Sequence, residues 1–333
     1  MSKRMREAGG ETARDLLLQG IKQYFVTSGA QALATQLKSI EKSGGEGKGL
    51  EGHDWDTVEF VLPGKTGTVS STGEACALDC AHCGGHFLKH MYHPMDLSQA
   101  LPPVKSWLIS GGSDSDGQVV PPPPELLYRL RQQGPLNLHV GLLTDEMIDQ
   151  ISDYADVVSF DLIGSDETIR NVIGIDATAD DYWRTYRALS EQVTTIPHII
   201  VGLDGGTIKG EWVLLDRLRE TPPKALVFLV LWPIRGTRFA QVSPPSLTQV
   251  FEFFRVARRL LPTTKLHLGC MRPVGQYRAY LDLIAGAVGF DLLVQPTAPI
   301  RGLAKEAGLS IKYGDQCCSF FAPDLRGERA WEK

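Results

Sequence analysis

Between residues 67 and 297 the chain repeats one pattern: a short apolar or β-branched run, a Gly- or Pro-containing break, then an amphipathic stretch of helical length. Eight such runs occur: GTVSST (67–72), SWLISGG (106–112), LNLHVGL (136–142), DVVSFDLI (156–163), PHIIVGL (197–203), ALVFLVLW (225–232), KLHLGC (265–270) and DLLVQPT (291–297). The segments between them carry helix signals. PPPPELLYRLRQQG opens with proline and ends in glycine, and ADDYWRTYRALSEQ, GEWVLLDRLRE, SLTQVFEFFRVARRL and GQYRAYLDLIAGAVG follow the same logic. Eight βα repeats predict an α/β chain folded as a parallel (β/α)8 TIM-type barrel over residues 53–333. A doubly wound open sheet has the same periodicity and stays open at this point.

Residues 12–41 place Leu16, Leu17, Ile21, Phe25, Leu33, Leu37 and Ile40 at helical spacing, and KSGGEGKGLEG after them reads as a linker. Residues 1–52 are therefore expected to form an N-terminal helical appendage. The charged start and the lack of any run of membrane-spanning length predict a cytoplasmic protein. A net charge of −5 offers no basic surplus for nucleic acid or an anionic membrane.

In a parallel barrel, chemistry gathers where the strands end. The cysteines follow that rule. Cys76, Cys80 and Cys83 come in the loop after run 67–72, and SGGSDSDG, HVG, SFD, HIIVGLDGG and GCMRP end later runs. In a reducing compartment, clustered thiols point to metal or redox chemistry rather than disulfides. The spacing CxxxCxxC supplies three thiolates, enough for three irons of a 4Fe-4S cubane with the fourth iron open to a small molecule. Zinc is the rival, because Cys80, Cys83, His86 and His90 also stand in a C-x2-C-x2-H-x3-H order, but it leaves Cys76 unexplained.

With CALDCAHCGGHFLKHM behind the first run and the barrel pattern after it, the chain resembles the radical S-adenosylmethionine (radical SAM) enzymes. One departure is His82, at a position where that family usually has an aromatic residue. The resemblance implies that the open iron chelates SAM and that Gly111 and Gly112 of SGG let the backbone approach its methionine part. It also makes Ser159, Asp161 and His198 candidate polar contacts to SAM or substrate. Each of these three fits a satisfied polar network inside the barrel equally well.

The remaining thiols are Cys270, at the end of the seventh run, and the vicinal Cys317 and Cys318 in a C-terminal cysteine tail. They suggest a second 4Fe-4S cluster, with the tail folding back across the C-terminal rim; a buried small residue and an incidental pair are the plain alternative. Together with VVSFDLIGSDETIRNVIGID and GCMRPVGQYR, the pattern is similar to biotin-synthase-like proteins, above all to the subunits of the two-protein lipoyl synthase. That resemblance implies sulfur insertion into an octanoyl-lysyl or mercapto-octanoyl-lysyl chain. It implies three kinds of partner: a lipoyl carrier domain or H-protein, a paired radical SAM subunit, and a low-potential donor such as ferredoxin or flavodoxin. The fourth, fifth and sixth runs lack the cysteines that biotin synthase places on its inner strands. A different radical SAM reaction, such as rearrangement or methylthiolation, and a non-enzymatic metal-binding protein are the other readings.

Overall fold

The computed structural model describes residues 11–42, 53–97, 101–119 and 122–320. The linker expected at KSGGEGKGLEG lies outside these residues. All eight expected strands are present: β2 (Thr66–Ser70), β3 (Ser106–Ser110), β4 (Leu136–Val140), β5 (Val157–Asp161), β6 (Thr195–Val201), β7 (Ala225–Val230), β8 (Lys265–Leu268) and β9 (Leu292–Val294). Two more were not anticipated, β1 (Thr57–Val61) and β10 (Ser310–Gly314). Every pairing is parallel, in the order β10-β1-β9-β8-β7-β6-β5-β4-β3-β2, and the sheet curls into a TIM-type α/β barrel wall. This excludes the open doubly wound alternative.

Helices cover the outer face: α3 (Pro124–Arg131), α4 (Asp145–Tyr154), the single turn α5 (Asp166–Thr168), α6 (Ala179–Gln192), α7 (Gly210–Glu220), α8 (Leu247–Leu260), α9 (Gln276–Val288) and α10 (Ala298–Glu306). Covered outside and lining the interior, β6 and β7 are buried at every position. Several helices start at reciprocal side-chain caps, as Thr178 with Asp181 at α6 and Ser246 with Gln249 at α8. An aspartate just before a strand ties the layers together twice. Asp156 accepts both Arg131 nitrogens, at 2.7 and 2.9 Å, and the Leu136 amide at 2.8 Å; Asp291 takes Arg258 at 2.7 Å and the Leu266 amide at 3.0 Å.

The N-terminal helices α1 (Ala13–Thr27) and α2 (Gln31–Lys42) lie on the barrel's outside. Their Leu17, Ile21, Phe25 and Leu37 join the same buried cluster as the barrel helices, and Tyr280 of α9 donates to the Ser28 carbonyl at 3.2 Å. No described helix is long and apolar enough to cross a membrane.

β1 and β2 are consecutive in the chain yet belong to opposite ends of the strand order, so residues 62–65 cross a seam in the wall. The segment after β10 fills that seam. The Asp315 carbonyl accepts the Lys65 amide at 2.8 Å, its carboxylate meets Lys105, and the Cys317 amide donates to Thr66 Oγ1 at 2.8 Å.

Candidate functional site

The first cysteine loop starts where β2 ends and is gripped from three sides. At the end of β3, Ala77 donates to the Ser113 carbonyl at 2.8 Å, Gly112 donates to Thr72 Oγ1 at 2.7 Å, and the Ser113 amide donates to Cys76 Sγ at 3.3 Å. On the next side a π turn, Ile169–Ile173, receives the Ala81 amide at the Val172 carbonyl (2.7 Å) and the Cys80 thiol at the Ile173 carbonyl (3.7 Å). From the loop after β7, the Arg238 guanidinium donates to the Asp79 carbonyl at 2.8 Å and Phe239 donates to Ala81 at 2.9 Å. The loop is thus preformed.

Burial, with Cys83 and Cys76 close by, pushes the Cys80 thiol up to about 12, and burial also raises Cys83. Two buried thiols this close to one another ionise together only against a positive centre.

The structure adds a reason for glycine at 111 and 112. Both line the cavity, but a Cβ on Gly112 would lie 1.9 Å from the Ala75 carbonyl oxygen and 2.6 Å from Cys76 Cα. A Cβ on Gly111 would meet Ser71 Oγ at 2.1 Å. Glycine is required here so that the end of β3 can lie against the cysteine loop.

The tail does not fold back across the rim as expected. It enters through the seam and crosses the barrel interior, where TIM barrels are ordinarily filled by strand side chains. There the Cys318 carbonyl meets His267 Nδ1 of β8 at 3.0 Å, and Ser319 Oγ meets Ser159 Oγ of β5 at 2.9 Å. Ser159 also donates to Asn137 Oδ1 of β4 at 3.0 Å, and Asn137 Nδ2 points to Cys317 Sγ at 3.9 Å. Ser159 is therefore engaged by the tail, as in the polar-network reading that the sequence left open beside a contact to SAM or substrate. The neighbouring Cys318 thiol lowers Cys317 to about 6 by hydrogen bonding, while Cys318 itself is raised. Burial, with Cys317 nearby, raises Cys270. These three thiols sense one another as a group.

Between the two groups stands Asp161, at the end of β5. Burial opposes its ionisation, but His139, His198 and His82 outweigh burial and hold it at about 2. His139 Nε2 is 3.4 Å from Asp161 Oδ1, and its ring stacks on His198 with centroids 5.7 Å apart. His198 and His82 are both lowered by burial to about 4. His82 Nδ1 has no hydrogen-bond partner among the described residues, and Asp161 Oδ1 has only the long contact with His139.

One cavity of roughly 530 Å³ unites all of this. Its walls include Cys76, Cys80, Cys83, Cys270, Cys317 and Cys318, together with Gly111, Gly112, Ser159, Asp161 and His198. All six cysteines and every candidate contact to SAM or substrate meet there. His86 and His90 do not line it; they sit on a 3-10 turn, His86–His90, with their rings edge to face at 5.8 Å. Among the described residues no three His, Cys, Asp or Glu side chains are grouped as ligands of a single metal ion. A cubane spreads its thiolates over separate irons and needs no such grouping. Two triads of thiols around a cavity with an unpartnered polar atom fit iron-sulfur groups and a polar ligand.

Asn137, His139, His267, Ser319 and Arg238 were missed in the sequence. For Asn137 and His139 a signal existed: in LNLHV they are the polar members of a period-two alternation, facing the barrel interior. Nothing local marks the others.

No family model matches the sequence, nor does any curated protein. Solved structures do. HydG from Carboxydothermus hydrogenoformans, the FeFe-hydrogenase maturase, superposes with a TM-score of 0.54 at 12% identity over 86% of this chain and 76% of its own. Methylornithine synthase (PylB) gives 0.50 at 14% identity over 86% and 83%. Another HydG structure gives 0.51 at 12% identity over 72% of this chain, and the match spans only 57% of that maturase. The chain thus shares its fold with HydG and PylB.

Proposed function

We propose that this protein is a radical SAM enzyme that inserts sulfur, acting as one subunit of a two-protein lipoyl synthase. The observation that carries the reading is the opposition of two cysteine triads across one cavity, on a fold shared with HydG and PylB. Cys76, Cys80 and Cys83 would hold the 4Fe-4S cluster that binds SAM; Cys270, Cys317 and Cys318 would hold a second one. When bound, these groups supply one-electron chemistry on unactivated C–H bonds, which no side chain provides.

The chain's own residues prepare the site. The Ser113 amide donates to Cys76 Sγ at 3.3 Å and so fixes where that sulfur points. Asp161, ionised among its histidines, offers an acceptor to an ammonium or hydroxyl group. Leu78, Phe87, Leu108, Phe160, Leu229 and Trp232 give the cavity an apolar lining suited to an acyl chain. The substrate would be an octanoyl-lysyl or mercapto-octanoyl-lysyl chain on a carrier domain or H-protein, with a paired subunit and a low-potential electron donor.

The test is anaerobic reconstitution followed by mass spectrometry of an octanoylated carrier peptide and its 8-thiol derivative. About eight irons per chain are expected, with SAM cleaved to methionine and 5'-deoxyadenosine and a sulfur-dependent mass gain on one peptide. Cys317→Ala/Cys318→Ala should abolish the gain while cleavage persists, because no sulfur would lie within bonding distance. Cleavage without any gain, even with the partner subunit present, would reject sulfur insertion. Stoichiometric zinc in place of iron would reject the whole reading.

A further inference from the structure

The barrel interior at the level of the tail is polar where an apolar layer would pack at least as well. Asn137 and Ser159 are fully or almost fully buried on neighbouring strands, and Ser319 is fully buried between them and the tail cysteines. Buried hydroxyls and amides carry a desolvation cost unless bonded. Here every bond has a direction. Ser159 gives its single proton to Asn137 Oδ1 at 3.0 Å, so in the 2.9 Å contact between hydroxyls Ser319 must be the donor. With Oδ1 accepting, Asn137 turns Nδ2 toward Cys317 Sγ at 3.9 Å.

The chain therefore runs from Ser319 to Ser159 to Asn137 and ends on a sulfur. It touches the tail twice, on either side of Cys318. Two bonds from other strands complete the hold: the Cys317 amide to Thr66 Oγ1 at 2.8 Å, and His267 Nδ1 with the Cys318 carbonyl at 3.0 Å. Simple anchoring of a C-terminal segment would need neither a donor aimed at a thiol nor adjacent cysteines open to the cavity.

We propose that Asn137, Ser159 and Ser319 form a positioning device that fixes Cys317 and Cys318 on the cavity floor as ligands, with Cys270, of a second iron-sulfur cluster. The inference rests on the two-cluster reading. Asn137 has a further role, since an N–H donated to a ligating sulfur stabilises the more negative, reduced cluster and raises its potential.

Two measurements test it on the full chain. In the iron-free protein, iodoacetamide labelling read by mass spectrometry follows Cys317 and Cys318, with the exposed Cys76 as internal reference. Ser319→Ala or Ser159→Ala should speed labelling of the pair about fivefold, the worth of one hydrogen bond, and leave Cys76 unchanged. In reconstituted protein, the same variants should lose iron from the second site alone, and Asn137→Leu should shift that cluster's midpoint potential negative. Unchanged labelling in both serine variants, or a wild-type iron content and potential in all three, would overturn the proposal. A wild type holding only about four irons would instead overturn the two-cluster reading itself.

Discussion

Gly112→Val is expected to strip the first cysteine triad of its iron, leaving a reconstituted chain with about half its metal and no SAM cleavage. The atoms in the way are backbone. A Cβ at this position meets the Ala75 carbonyl and Cys76 Cα well inside contact distance, and neither retreats without carrying the cysteine loop with it. The comparison is Gly111→Ala, whose Cβ meets the hydroxyl of Ser71, a side chain free to rotate. That variant should keep far more of its iron. Equal iron contents in the two variants, measured by iron assay and by the EPR signal of the reduced cluster, would show that the loop adjusts and that the close approach is not what holds Cys76 in place.

Arg272→Leu should cost about 3–5 kcal/mol of folding stability, the usual penalty for leaving one partner of a buried ion pair behind. Arg272 and Asp282 are both fully buried. The guanidinium reaches Asp282 Oδ1 at 3.0 and 3.2 Å and the Val294 carbonyl at 2.6 Å, and it also holds the carbonyl of Gly269, next to Cys270. Asp282 in turn accepts the Thr297 amide at 2.7 Å. The pair thus joins the ends of β8 and β9 to α9. Arg272→Leu/Asp282→Leu should recover part of the loss, since no uncompensated charge remains. Urea unfolding of the three proteins measures this. A single variant within about 1 kcal/mol of wild type would place the pair with exposed ion pairs in energetic terms.

Eight strands were legible because each is a short buried run between breaks, and five helices because their apolar faces, with a capping box at α6 and α8, are local. β1 and β10 were not. TVEFV carries Glu59 in its middle, and SIKYG leaves Tyr313 largely exposed, so neither has the apolar density of a barrel strand. The cysteines were legible by spacing and by their place after strands. The route of the tail was not, because it depends on hydroxyl contacts such as Ser159 with Ser319, 160 residues apart, which leave no periodic trace. The glycines of SGG were identified as necessary, but their clash with the cysteine loop lies with a neighbour only the fold brings near.

The threaded tail makes metal binding and wall closure thermodynamically linked. Cys317 and Cys318 sit on the segment that fills the seam, whereas Cys270 follows β8, well within the continuous wall. A group bound to all three would act as a cross-link between seam and wall, and whatever binds only the closed form stabilises it by mass action. Amide hydrogen exchange at Lys65 and Cys317, both donors across the seam, should therefore slow when the second site is filled and be indifferent to the first. The same linkage runs in reverse: strain or heat that opens the seam pulls two ligands from the metal group together, so the cavity would lose its floor and its second cluster in one step.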